Sequence, residues 1–273
     1  MESLRETRRL TKLTFDIDKF TEEFKNTIRW MLRNTYAQDL KDDLQYLKNN
    51  KDELSRNPDS LNAFRLIIEL IKTNGWRLKK PRDFDSNMDS FIKKYGAKFR
   101  AKEAKEELLK LVGNRKGKNI ERLLTNYSSI KQFTGDLYRL AVQGKTVVLG
   151  EKGRDNYLRD FGYWDRIPID RHEMRFIIRT GIYHACSTKD KSDHLEKRDL
   201  QHTLTLFCSQ FLKHFVVEGI DLESAPGIVG LFIWSFSAED RYSICGAHPC
   251  CDQCTLRNAC LYALTNKLLC NRT

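Results

Sequence analysis

Five of the chain's eight cysteines lie between Cys245 and Cys260, and this cluster constrains the fold more than any other feature of the sequence. The segment reads Cys245-Gly-Ala-His-Pro-Cys250-Cys251-Asp-Gln-Cys254-Thr-Leu-Arg-Asn-Ala-Cys260. Taking Cys245, Cys251, Cys254 and Cys260 gives C-x5-C-x2-C-x5-C. A C-x2-C knuckle turns two sulfurs toward one point, and two flanking cysteines on so short a loop can reach the same point. Structural zinc usually takes two such knuckles separated by a longer loop. One knuckle with two flanking cysteines favours a [4Fe–4S] cluster over zinc. Cys250, adjacent to Cys251, is the alternative second ligand. Cys186 and Cys208 read as small buried hydrophobes, and Cys270 is a further scattered cysteine.

Outside the cysteine cluster the chain reads mostly as helix. Phe15, Phe20, Phe24, Ile28 and Met31 recur at helical spacing. The breaker Asn57-Pro58-Asp59-Ser60 opens a more apolar helix with Ser60 as N-cap and Phe64, Ile67, Ile68 and Ile71 on one face. Helices are expected over Glu103–Val112, Asn119–Tyr127, Ser129–Ala141, Arg171–Gly181, Leu200–Val217 and Gly227–Ser237. Gly113, Gly117 and Gly144 punctuate them. Thr146–Leu149 is the one β-branched run of note. No repeat or low-complexity segment occurs. The expected fold is all-α, with the cysteine module at its C-terminal end.

No apolar run approaches the length of a membrane span, and Met1-Glu2-Ser3-Leu4-Arg5 has no signal-peptide pattern. A soluble, cytoplasmic or nucleoid-associated protein is therefore expected, in a reducing compartment that disfavours a disulfide framework. The net charge of +11 is clustered rather than even. Arg77-Leu78-Lys79-Lys80-Pro81-Arg82 is followed by Lys93, Lys94, Lys98, Arg100, Lys102 and Lys105, then by Arg115-Lys116-Gly117-Lys118. Such clustering suits a polyanion, because each neutralised phosphate releases counterions. A lysine-rich solvated surface would look similar on charge alone.

Asp170 precedes Met174, Ile177 and Ile178, and with Glu173 forms the D-x-x-E spacing of a capping box. On that ground it is a helix cap. A carboxylate held at a helix N-terminus is also rigid and ionised, so it can face a developing positive charge.

Two stretches carry a family resemblance. The first runs from Trp234 through Arg241-Tyr242-Ser243-Ile244-Cys245 and His248-Pro249-Cys250-Cys251 to Cys260-Leu261-Tyr262. It resembles the C-terminus of endonuclease III and MutY-type glycosylases of the helix–hairpin–helix superfamily. These carry C-x6-C-x2-C-x5-C after an aromatic helix and an Arg-Tyr pair. The first gap is one residue shorter here.

The second stretch, Phe161-Gly162-Tyr163-Trp164-Asp165-Arg166-Ile167-Pro168-Ile169-Asp170-Arg171-His172, is similar to the family segment ending Val-Asp-x-His, whose aspartate serves catalysis. Family members with lyase activity place a Schiff-base lysine eighteen residues earlier, which here is Lys152. Gly150-x-Lys152 matches the end of the family hairpin Leu-Pro-Gly-Val-Gly-Arg-Lys, while Val147 and Val148 replace its proline and first glycine, and Glu151 is acidic. Val112-Gly113 to Lys118 resembles the family's Ile-Gly-x-x-x-x-Lys. Phe64–Trp76 corresponds to the family's Leu-Leu-Ser-Ala-Gln-Ala-Thr helix, with Asn74-Gly75 where Ala-Gln would stand.

The resemblance implies two helical lobes with a helix–hairpin–helix element and a C-terminal [4Fe–4S] loop. Residues 57–165 would form a helical barrel ending in the hairpin, and residues 1–56 with 166–273 the cluster lobe. It further implies a monomeric base-excision DNA glycosylase acting on double-stranded DNA that holds a damaged or mispaired base. Lys152 and Asp170 would be catalytic, Cys245, Cys251, Cys254 and Cys260 (or Cys250) would ligate the cluster, and Gly150, Gly153, Arg154 and Lys118 would meet DNA. Lys145 is a rival nucleophile. A monofunctional glycosylase using water, and a non-catalytic DNA-binding protein with a structural metal, are the two alternatives. Tyr163, Trp164 and Trp76 are candidate stacking aromatics, with a place in the core as the competing role.

Overall fold

A computed structural model describes residues 15–75, 79–113, 116–187 and 195–270. The described chain is mostly helical: α1 (Ile17–Met31), α2 (Ala37–Lys51), α3 (Glu53–Arg56), α4 (Leu61–Thr73), α5 (Phe84–Tyr95), α6 (Lys102–Val112), α7 (Gly117–Asn126), α8 (Ile130–Val142), α9 (Glu151–Asp160), α10 (Arg171–Thr180), α11 (Ile182–Cys186), α12 (Lys197–Phe211), α13 (Pro226–Ser237) and α14 (Leu261–Cys270). One short antiparallel ribbon, β1 (Val216–Val217) and β2 (Ile220–Asp221), pairs Val216 with Asp221 and Val217 with Ile220. None of the described helices is long and apolar enough to cross a membrane.

The ribbon corrects the expected Leu200–Val217 helix. Helix α12 stops at Phe211, and Glu218 and Gly219 both take positive φ (49° and 75°), the geometry of a two-residue hairpin turn. The β-branched run Thr146–Leu149, by contrast, is a turn rather than a strand.

Two compact units divide the chain, residues 45–168 and residues 1–44 with 169–273. The expected boundaries stood at 57 and 166. The N-terminal edge moves because Lys51 and α3 pack with the central residues. Lys51 Nζ lies 4.6 Å from the centre of the Trp164 ring, and Glu53 accepts a 2.7 Å hydrogen bond from Ser60 Oγ.

In the 45–168 unit the apolar face of α4 is buried at Phe64, Ile67, Ile68 and Ile71. Ser60 caps this helix, accepting from Ala63 N at 3.3 Å. The core continues through Phe84, Met88, Phe99, Leu108, Leu123 and Phe133 to Tyr157 and Leu158 of α9. Phe64 and Phe99 stack at 4.2 Å, and each such ring contributes roughly 2–3 kcal/mol by leaving water. Tyr157 is fully buried and shares a 2.6 Å hydrogen bond with Thr134, which satisfies the hydroxyl that would otherwise be stranded.

In the other unit Phe20, Phe24, Ile28 and Met31 form the buried stripe of α1. Phe24 packs on Phe176 of α10 (5.8 Å) and Phe207 of α12 (5.7 Å). Helix α13 is apolar almost all round and buried along its length, so it is a central core helix. Thr27 and Thr255 hydroxyls meet at 2.7 Å, tying α1 to the cysteine loop.

Candidate functional site

Lys152 lies in the first turn of α9 and is half-buried. The turn that delivers it is unusual. Val148 has φ +63°, and Leu149 N donates to Val147 O at 2.6 Å, closing a three-residue turn around a β-branched residue in the left-handed region. That geometry is rare and strained, and Val148 and Leu149 are both buried against the core, which is what over-determines it. Gly150 follows as the N-cap, exposed, with open space where a Cβ would stand. Gly153, one residue after Lys152, is buried against Gly75, so the loop closing α4 rests on the first turn of α9.

Arg154, expected from the sequence as a DNA contact, does not face outward here. Its side chain is 4% exposed, with Nε and Nη2 donating to the two oxygens of Asp155 (3.0 and 2.9 Å) and Nη1 donating to Lys145 O at 2.7 Å. Arg166 Nε lies 3.5 Å from the same carboxylate. The guanidinium is thus committed to bracing the segment that enters the Val148 turn. Gly153 is likewise enclosed and does not offer its backbone to a phosphate. Gly150 and Lys118, the latter in the first turn of α7, are exposed, and so is Lys145.

The basic segments are partly spent inside the chain. Lys80 pairs with Glu69 (3.0 Å) and Asp85 (2.9 Å), Lys94 with Glu107 (2.7 Å), Arg100 with Asp59 (3.2 Å) and Lys105 with Glu121 (3.4 Å). Lys79, Lys93, Lys98, Lys102 and Lys118 are exposed. Burial and the Lys72 charge push Lys116 below the usual lysine range. Trp76, Arg77 and Arg115 lie outside the described residues. Tyr163 stacks on Tyr138 at 4.4 Å, and Trp164 lies under Lys51. An open cleft lined by Asn126, Tyr127, Gln132, Asp136 and Arg139 contains none of the residues expected in a site.

Asp170 belongs to the other unit, where it caps α10. Its Oδ1 accepts from His172 N at 2.7 Å, and Glu173 Oε2 accepts from Asp170 N at 2.9 Å, completing the capping box. At the far end of this helix, roughly 15 Å away by helical rise, Arg179 fastens the cysteine loop. It donates to Gly246 O (2.6 Å), Ala247 O (3.1 Å) and Cys245 O (3.5 Å), and Cys260 Sγ donates to Arg179 O at 3.5 Å.

Cys245 and Cys260 are buried, Cys251 and Cys254 half-buried and Cys250 exposed. Burial pushes the Cys245 thiol up to about 11 and Cys254 up to about 12, and it also raises Cys251 and Cys260. Cys254 feels Cys260, Cys245 and Cys251, so these four thiols share one neighbourhood, and Cys250 acts on Cys251. Among the described residues no three His, Cys, Asp or Glu side chains already converge at metal-holding distance. Four thiols on one short loop, with Cys245 acted on by Cys251 and Cys260 and Cys254 by all three others, are nonetheless the donor type that a soft metal centre takes. No protein-family model, no curated protein and no solved structure matches this chain.

Proposed function

We propose that the chain is a base-excision DNA glycosylase of the helix–hairpin–helix kind, with strand-cleaving lyase activity through Lys152. The observation that carries this reading is the Val148 turn. The family hairpin has glycine at this position, and here valine takes the glycine-like φ of +63° two residues before the N-cap Gly150, with Lys152 in the helix turn that follows. A strained, buried turn kept at this point is easiest to understand where the backbone has to present something. Asp170, eighteen residues on, is held at a helix N-terminus with its carboxylate half-exposed.

In this reading double-stranded DNA with a damaged or mispaired base is the substrate, and the target nucleotide leaves the stack to react. The Lys152 amine attacks C1′ of the sugar, the C1′–N bond breaks and the base departs. The lysine–sugar adduct opens to an imine, which then loses the 3′ phosphate by β-elimination. Asp170 faces the positive charge that builds on the sugar ring. Gly150 and Lys118 are the exposed members of the expected DNA contacts. Cys245, Cys251, Cys254 and Cys260 would hold a [4Fe–4S] cluster, which when bound cross-links the loop that Arg179 fastens to α10.

Borohydride trapping on duplexes that each carry one lesion or mismatch tests this. The wild type should be captured covalently on its substrate, because an imine is reducible. Lys152→Ala should lose capture and strand cleavage while still binding the duplex. Capture that survives Lys152→Ala but not Lys145→Ala would move the nucleophile to Lys145. Base release without any capture would make water the nucleophile, and binding without base release on any duplex would leave a DNA-binding protein with a structural metal.

A further inference from the structure

Glu173 is the most deeply buried acid in the segment that carries Asp170, and its surroundings are wrong for an ordinary capping-box glutamate. Such a residue usually sits at the surface as an anion facing the helix amides. Glu173 is 3% exposed. One of its oxygens accepts the Asp170 N–H at 2.9 Å, and its carboxyl is also within hydrogen-bonding reach of the Asp170 carboxyl. Asp170 is the charged side chain that acts on it; of the helices packed on α10, α13 carries no ionisable residue, α11 carries Tyr183, His184 and Cys186, α12 carries Lys197, Arg198, Asp199, His202 and Cys208, and α14 carries Tyr262, Lys267 and Cys270.

Two carboxylates in hydrogen-bond contact cannot both stay ionised in a dry site, so one proton is held between them. Exposure decides where it rests. Each carboxyl accepts a backbone N–H, His172 N at Asp170 and Asp170 N at Glu173, so burial separates them: Asp170 is half-exposed, whereas Glu173 is enclosed. Burial, and after it the Asp170 carboxyl, raise the Glu173 carboxyl well above the usual range.

We propose that Glu173 is a positioning residue for Asp170: as a carboxylic acid it accepts the aspartate's N–H with one oxygen and gives its O–H to the aspartate's carboxylate. Together with the His172 amide this fixes the Asp170 rotamer and leaves its anion half-exposed. The inference rests on the reading of Asp170 as the group that faces the sugar cation.

Glutamine reproduces a neutral glutamic acid, with a carbonyl to accept and an N–H to donate, and alanine reproduces neither. Single-turnover base release by Glu173→Gln should therefore stay within about threefold of wild type, and Glu173→Ala should fall about tenfold to a hundredfold with unchanged duplex affinity. Glu173→Gln releasing base as slowly as Glu173→Ala overturns the proposal. An infrared difference spectrum of wild type against Glu173→Gln reads the proton directly, without DNA or activity. A protonated-carboxyl band at neutral pH that the variant lacks is expected, and its absence overturns the proposal even if the enzyme is a glycosylase. A wild type that carries the band yet releases no base from any lesion duplex overturns the positioning role through the failure of the Asp170 reading, so the two failures are told apart.

Discussion

Gly75 and Gly153 meet backbone to backbone. A Cβ on Gly75 would stand 2.9 Å from Gly153 N, and a Cβ on Gly153 would stand 3.1 Å from Gly75 Cα. Neither obstacle is a side chain that could swing away. The contact sets the loop after α4 on the first turn of α9, beside Lys152, so the placement of that lysine depends on two residues that have no side chains.

Substitution at these glycines should be costly for different reasons. Gly75 has φ +64°, so Gly75→Ala combines left-handed strain with a backbone collision and should cost about 2–4 kcal/mol. Gly153→Ala meets the same wall but gains helix propensity, and a net cost of about 1 kcal/mol is expected. Gly150→Ser, with open space around it and a better N-cap, should change stability by only a few tenths of a kcal/mol. Chemical denaturation of the three variants checks this, and equal costs at Gly75 and Gly150 would count against the close contact.

At Val148 the usual order of substitutions should invert. At a buried position with ordinary φ, glycine is worse than alanine by roughly 1 kcal/mol. Here Val148→Ala loses buried methyl groups and keeps the left-handed strain, while Val148→Gly also loses the Cβ but relieves that strain. Both should destabilise, because burying the valine side chain contributes about 1.5–3 kcal/mol. Glycine should nevertheless be the milder of the two by about 1 kcal/mol. Thermal unfolding of both variants gives the order, and alanine as the milder change would mean that the turn is relaxed.

Arg154 shows why part of the site was hidden in the sequence. An arginine one turn into a hairpin helix reads as a phosphate contact, and nothing in Gly153-Arg154-Asp155 announces that the neighbouring aspartate will take the guanidinium indoors. Whether adjacent charges pair with each other or face solvent is decided by what packs over them. Val148 was concealed in the same way, since β-branched residues argue for strand and the positive φ is imposed by burial of Val148 and Leu149. By contrast, the Asp170 capping box was legible because its hydrogen bonds span three residues, and the α4 stripe because helical period and burial agree along its whole length. The hairpin at Glu218-Gly219 was missed because two residues in each strand are too few to show alternation.

The burial of Arg154 has a direct consequence. Arg154→Leu leaves Asp155 in a dry site without its bidentate partner, with Arg166 3.5 Å away as the residual cation. Breaking such a pair costs about 3–5 kcal/mol, so the variant should lose stability first and DNA affinity only as a result. Lys118→Ala should do the opposite, keeping its melting temperature while the salt dependence of duplex binding becomes shallower by about one counterion. A stable Arg154→Leu protein with weakened binding would return the guanidinium to the DNA surface.

The cysteine loop makes a choice between adjacent residues. Cys250 is exposed and acts on Cys251, whereas Cys254 is influenced by Cys245, Cys251 and Cys260 together. Anaerobically purified wild type should carry roughly four irons per chain with visible absorption. Cys251→Ser should lose both, and Cys250→Ser should keep them, because the exposed Cys250 is not among the thiols that act on Cys254. The Arg179 latch adds an independent reading. Its guanidinium reaches three successive carbonyls of the loop, a fork that a lysine ammonium cannot copy, so Arg179→Lys should lower iron occupancy with every cysteine in place. Iron lost with Cys250→Ser and retained with Cys251→Ser would exchange the two roles. Stoichiometric zinc with no visible absorption would keep the same four thiols and replace the cluster.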